Sequence, residues 1–175
     1  MKEFGSIGRL LRQSDEAKRR VLGDDREVLA LLSATRDTLD EALRSEIIGE
    51  HVHPGHPLLR RYLLLALGSL SEETLHVLFL DSNGRLVAEE QIARGSVATV
   101  SIYPRMIFRR ALELGVVAVI LAHNHPSGDA RPSEEDIRTT QSVFEIGKAL
   151  DVVLTDHLIV AGSQCVSMRD LGLLP

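Results

Sequence analysis

The apolar positions of this chain follow three patterns. Up to about residue 50 they are helically spaced among many charges, as in Arg9-Leu10-Leu11 and Val28-Leu29-Ala30-Leu31-Leu32. Asp24-Asp25 suits a helix start there, because acids favour the positive end of a helix dipole. Residues 58–70 read as another helix, closed by Gly68, the residue type that most often follows a helix end. The pattern then becomes that of strands. Residues 74–80 and 85–92 read as strands joined by Asp81-Ser82-Asn83-Gly84, in which Asn-Gly is a strong hairpin signal. Residues 97–102 read as a further strand. Pro104 opens a helix with Ile107, Ala111 and Leu114 on its apolar stripe, and Gly115 ends it. The third pattern is a continuous apolar run over 116–122. Seven apolar residues without alternation, four of them β-branched, predict a central strand buried on both faces. A last helix buries Ile137, Val143, Phe144, Ile146, Gly147, Ala149 and Leu150. Residues 152–154, 157–160 and 165–167 read as late strands.

This order predicts a mixed α/β domain, one curved sheet with helices on its faces, over residues 58–175. Residues 1–57 read as a short helical N-terminal extension and a linker. The linker contains His51-Val52-His53-Pro54-Gly55-His56-Pro57, where two Pro and one Gly predict a solvated connection.

Composition narrows the classes. The 175 residues are 44% apolar, enough for a packed core, and the net charge of −5 offers no general attraction to nucleic acid or anionic lipid. Lys18-Arg19-Arg20 is flanked by acids and reads as a solvated helix face. Cys165 is the only cysteine, so neither an intrachain disulfide nor a Cys-rich zinc site can form. With no signal-peptide pattern at the start and no window long enough for a membrane span, a cytoplasmic protein is expected.

The chemistry concentrates in His123-Asn124-His125-Pro126-Ser127-Gly128-Asp129-Ala130-Arg131-Pro132-Ser133-Glu134-Glu135-Asp136. Residues two apart on a strand share a face, so His123 and His125 can point at one spot. Asp136 arrives at the start of the next helix. Two His and one Asp with an open fourth position form a ligand set for a catalytic zinc, one per chain. Ser133-x-x-Asp136 is also a capping box. The readings are compatible, because a capped helix start holds its carboxylate still. Asn124 points to the opposite strand face and reads as a structural anchor. His157 reads either as a structural strand histidine or as an outer partner of the site.

His-x-His, seven residues, Ser, two residues, Asp resembles the motif of the JAMM (MPN) metalloproteases. The string His-Asn-His-Pro-Ser-Gly-Asp resembles the bacterial RadC branch, as do Tyr103-Pro104-Arg105 and Asp156-His157-Leu158-Ile159-Val160. The resemblance spans roughly residues 58–175. It implies an MPN/JAB fold and a zinc-dependent hydrolase of peptide or isopeptide bonds, with a protein or peptide substrate. It also implies a Glu upstream of the histidines as proton shuttle. Glu89 and Glu90 are the two candidates. Glu90 alternates with Leu86, Ala88 and Ile92, so it is expected to point inward and act as the base. Ser133 is expected to donate a hydrogen bond to the oxyanion.

Two readings compete. One is a metal-retaining binding module without turnover. The other is a DNA-associated role, because the N-terminal region of RadC relatives resembles a helix-hairpin-helix; the Gly-rich turn of that module is not found here. Two-metal phosphodiester cleavage needs more ligands than this motif supplies, and a nucleobase deaminase needs Pro-Cys-x-x-Cys. A second copy of the chain is a further candidate partner, packed through the charged N-terminal helices.

Overall fold

A computed structural model of the chain describes residues 7–11, 13–95 and 103–174. Three helices come first: α1 (Ile7–Leu11), α2 (Asp15–Leu22) and α3 (Arg26–Ile47). Ser14 caps α2 and Asp25 caps α3, each side chain accepting from a first-turn amide. Then follow α4 (Pro57–Ala66), β1 (Glu73–Leu80), β2 (Leu86–Gly95), α5 (Pro104–Leu114), β3 (Ala118–Asn124), α6 (Glu134–Ala149), β4 (Val153–Ala161) and β5 (Gln164–Ser167). Pro57 and Pro104 open their helices, where a missing N–H costs nothing. The strand expected over 97–102 lies outside the described residues.

The five strands form one mixed sheet in the order β2-β1-β3-β4-β5. β1 runs antiparallel to β2 and to β3, β3 runs parallel to β4, and β5 returns antiparallel. The sheet has a core on each side. On one face Leu78, Ile120 and Leu158 pack with Leu59, Tyr62 and Leu63 of α4. On the other, Val77, Val119 and Leu121 pack with Ile107 and Phe108 of α5 and Val143 of α6. β3 is therefore central and covered on both sides, as its unbroken apolar run predicts.

Several expectations change. The two late strands expected over 152–154 and 157–160 are one strand, β4, because an irregularity at Thr155 interrupts its pairing with β3 and hides the alternation. A second bulge falls at Val87 in β2, where Phe79 pairs Ala88 but Leu80 pairs Leu86. Leu86 therefore packs on the α4 side while Ala88 packs on the α5 side. The helix expected over 58–70 stops at Ala66, and Gly68 has another purpose. A Cβ at Gly68 would lie 2.4 Å from the Gly162 carbonyl, so only glycine lets this turn rest on the β4–β5 turn.

The N-terminal helices are tied to the sheet. Arg36 donates to the Ala66 carbonyl at 3.1 Å, and Arg44 reaches Glu89 of β2. Lys18, expected in solvent, is 1% exposed and pairs with Asp15 at 3.2 Å. The histidine-rich linker is not wholly solvated either, for Val52 is buried and His51 bridges Arg85 beside the hairpin turn. No helix among the described residues is long and apolar enough to cross a membrane.

Candidate metal centre

β3 ends at Asn124, and three groups meet just beyond it. Leu121 and His123 face the α6 side, one pleat apart. His125 lies past the strand, yet its amide still donates to the Val160 carbonyl of β4 at 2.8 Å, which continues the strand direction by one residue. The chain then turns at Gly128, whose φ of +83° suits glycine, and returns toward α6.

Asp136 sits in the first turn of α6. Its helix start is a capping box: the Asp136 amide donates to Ser133 Oγ at 3.1 Å, and the Ser133 amide donates to Asp136 Oδ2 at 2.7 Å. The Ser133 hydroxyl also donates to Asp136 Oδ2, at 2.6 Å. The capping box expected from the Ser-x-x-Asp pattern is formed, and it holds the Asp136 carboxylate in place. The same geometry commits the Ser133 proton to Asp136.

His123 Nε2 lies 3.0 Å from Asp136 Oδ1, His125 Nε2 lies 3.2 Å from Asp136 Oδ2, and the two Nε2 atoms are 2.9 Å apart. Ligand atoms around a tetrahedral zinc with bonds of about 2.0–2.1 Å sit about 3.3 Å apart. With one donor atom taken from each residue, the three lie within 4.8 Å of one another, so a single ion could be shared among them. The outward nitrogens are engaged. His125 Nδ1 lies 2.7 Å from the Asp129 carbonyl, which can only accept, so Nδ1 carries the proton and Nε2 is left for the site. His123 Nδ1 lies 2.8 Å from His157 Nε2. Two imidazoles and one carboxylate, with His123 and Asp136 buried and His125 part-exposed, fit a cation reached from the His125 side.

Electrostatics follow from the clustering. Burial pushes the Asp136 carboxyl up, but hydrogen bonds from His123 and His125 hold it far below the usual carboxylate range. The Asp136 hydrogen bond raises the His125 pKa against the opposing effect of burial, and the charge of Glu73 adds to the rise.

Glu73 also stands beside the cluster, although no sequence pattern singles it out. In the β1–β3 register Leu75 pairs His123, so Glu73, two residues earlier, shares that face and extends toward the level of His125. It is half-buried. The available signal was weak: Glu73 precedes the apolar strand by one residue, and nothing in the sequence says which strand lies beside β3.

Glu90, the expected base, is not brought to this cluster. It shares the face of the three ligands, since its β1 partner Val77 and its neighbours Ala88 and Ile92 pack on the α5 side. Its carboxylate, however, is held by Arg110 of α5, with Nε at 2.8 and 3.0 Å from the two oxygens. Glu89 faces the other way. It is buried against Arg44 of α3, at 3.1 Å from Nε, and against His76 of β1. The bulge at Val87 puts Glu89, rather than Glu90, on the side of Leu86.

Asn124 is structural, as expected, but it anchors the start of β1 and not the turn after His125. Its Oδ1 accepts from the Thr74 amide at 2.9 Å, and its Nδ2 donates to the Glu72 carbonyl at 3.0 Å. This fixes the start of β1, and with it Glu73, beside the histidines. A cleft of about 730 Å³ opens on His125. Its walls include Ser14 and Glu16 of the N-terminal helices, Ser69 and Ser71 before β1, Gly128, and Gly162.

The mixed sheet thus brings two histidines at a strand end and an aspartate at a capped helix start into a triad that could hold a metal ion. Residues 56–173 match the RadC-like JAB domain, and the chain belongs to that family. It is 40% identical over 171 residues to a UPF0758 protein of Polaromonas sp. (strain JS666 / ATCC BAA-500), covering 98% of this chain and 76% of the relative. It is 39% identical over 172 residues to a UPF0758 protein of Leptothrix cholodnii, covering 98% and 78%. A UPF0758 protein of Rhodobacter capsulatus is 37% identical over 171 residues, covering 98% and 80%.

Proposed function

We propose that this chain is a zinc-dependent hydrolase of the JAMM type, cleaving a peptide or isopeptide bond. The observation that carries the reading is the convergence of His123 Nε2, His125 Nε2 and the Asp136 carboxylate at 2.9–3.2 Å, at the edge of an open cleft. A zinc ion held by these three residues would supply Lewis acidity that makes water nucleophilic near neutral pH.

The chain supplies the remaining groups. Glu73 takes the proton from the attacking water and returns it to the leaving amine. Its support is the shared face, the register beside His123 and its electrostatic effect on His125. Glu90 would first have to leave Arg110. Ser133 orients Asp136 in the resting site. It becomes an oxyanion donor only when its hydroxyl turns away from Oδ2. The cleft receives the substrate.

The test is zinc analysis of the purified protein followed by a survey of peptide and isopeptide substrates. Hydrolysis that stops with a chelator and returns with zinc is the expected result. Zinc binding without cleavage of any member of a broad lysine-linked library would leave a metal-retaining binding module instead.

A further inference from the structure

The site reaches deeper than its three ligands. Behind His123 lies His157 of β4, fully buried, and behind that Thr140 of α6, also fully buried. His123 Nδ1 is 2.8 Å from His157 Nε2, His157 Nδ1 is 2.7 Å from Thr140 Oγ1, and Thr140 Oγ1 is 2.6 Å from the Asp136 carbonyl. The path leaves one ligand residue and ends on another.

Proton counting gives this path a direction. A carbonyl has no proton to give, so the single hydroxyl proton of Thr140 goes to Asp136. The Met168 thioether, at 3.3 Å, is the weaker competing acceptor. Thr140 Oγ1 then offers His157 only a lone pair, so His157 Nδ1 carries a proton. A histidine without solvent contact stays neutral unless its charge is paired, and a neutral ring with Nδ1–H has a bare Nε2. His123 Nδ1 must be the donor to that atom. The only His123 nitrogen left to meet a cation is Nε2, the one already beside Asp136 and His125.

We propose that His157 and Thr140 are positioning residues: a one-way hydrogen-bond relay that locks the His123 ring in its Nδ1–H form and aims Nε2 at the metal centre. The relay rests on the metal site proposed above, yet it is defined in the protein alone. It joins the three elements that build the site, β3, β4 and α6. Rotation of the His123 ring, or a flip of its tautomer, would break a buried hydrogen bond.

The test uses Thr140→Val, which keeps the shape and removes the hydroxyl, Thr140→Ser, which restores it, and His157→Gln, whose amide oxygen can still accept from His123. Two readouts apply. Zinc affinity, by competition with a chromophoric chelator, should fall about 10–100-fold in Thr140→Val and stay within about threefold of wild type in Thr140→Ser. Two-bond proton–nitrogen spectra should show protonated Nδ1 on both His123 and His157 in the parent protein. His157→Gln should keep protonated Nδ1 on His123, while Thr140→Val loses this signature or averages it. Equal losses in Thr140→Ser and Thr140→Val would reduce the relay to packing and overturn the proposal, as would unchanged affinity and spectra in Thr140→Val. Failure of the parent protein to bind zinc would sink the metal reading instead, while the spectra still decide the relay.

Discussion

Arg110 of α5 holds both carboxylate oxygens of Glu90, Nε lying 2.8 and 3.0 Å from them, on the same sheet face as the histidines. This pair separates two acids that the sequence alone could not rank. Glu90 has the right face but is engaged elsewhere, whereas Glu73 lies one pleat beyond the Leu75–His123 pair.

Glu73→Gln should therefore keep the metal and lower hydrolysis by roughly 10²–10⁴. Glu90→Gln should keep most of the activity. Both members of the Glu90–Arg110 pair are about a third exposed, so its loss should change stability little. Parallel turnover and urea-melt measurements check this. The assignment fails if Glu90→Gln is inactive and Glu73→Gln is not.

Metal content should follow the three converging side chains. We expect about one zinc per chain, as for a site with three protein ligands. Mass-spectrometric metal analysis should find it lost in His123→Ala, His125→Ala and Asp136→Asn. Changing His51, His53 and His56 together should leave it in place. Retention of zinc by the His123→Ala/His125→Ala double variant would place the site elsewhere.

Ser133→Ala removes a cap acceptor and a donor to Asp136 together. Loss of the cap should cost about 1 kcal/mol, a fall of about 2–4 °C in Tm for a domain of this size. Turnover should drop by roughly 10²–10³ if the hydroxyl also serves the oxyanion. Ser133→Thr should recover the stability, since threonine caps nearly as well. A Ser133→Ala variant with wild-type Tm would contradict the capping geometry.

Acid should weaken the attachment of α3 to the sheet. Burial pushes the Glu89 carboxyl up, but the His76 ring, the Tyr62 hydroxyl and Arg44 outweigh it, so its pKa is lowered in the folded protein. A group with a lowered folded pKa contributes stability above its unfolded value, about 4.3, and that contribution is lost as pH falls through the folded value. Glu89→Gln should cost about 1.5–3 kcal/mol near pH 7, and the gap to the parent protein should narrow as pH falls below the unfolded value and through the lowered folded one. Urea melts of both proteins from pH 7 to 3 measure it. A gap that widens in acid would mean the carboxylate is not stabilised by these partners.

The candidate triad was legible in the sequence because its parts are local. His123 and His125 sit two apart at the end of a strand whose apolar run is unmistakable, and Asp136 follows a capping serine by three. Helix starts at Pro57 and Pro104, the hairpin at Asn83-Gly84 and the central place of β3 follow from short-range chemistry of the same kind. What the sequence could not supply was register. A bulge at Val87 adds one residue to β2 and puts Leu86 on the face of Glu89, where strict alternation would set it with Ala88 and Glu90. The pairing of Leu75 with His123 brings Glu73 beside residues fifty positions away, and no local pattern encodes that choice of neighbour. His157 and Thr140 are ordinary strand and helix positions until β4 pairs β3 and α6 crosses behind them. Periodicity is a property of one segment and can be read from its residues. The partners of Glu73, Glu89, Glu90 and His157 belong to pairs of segments, and only the packing of the whole chain selects them.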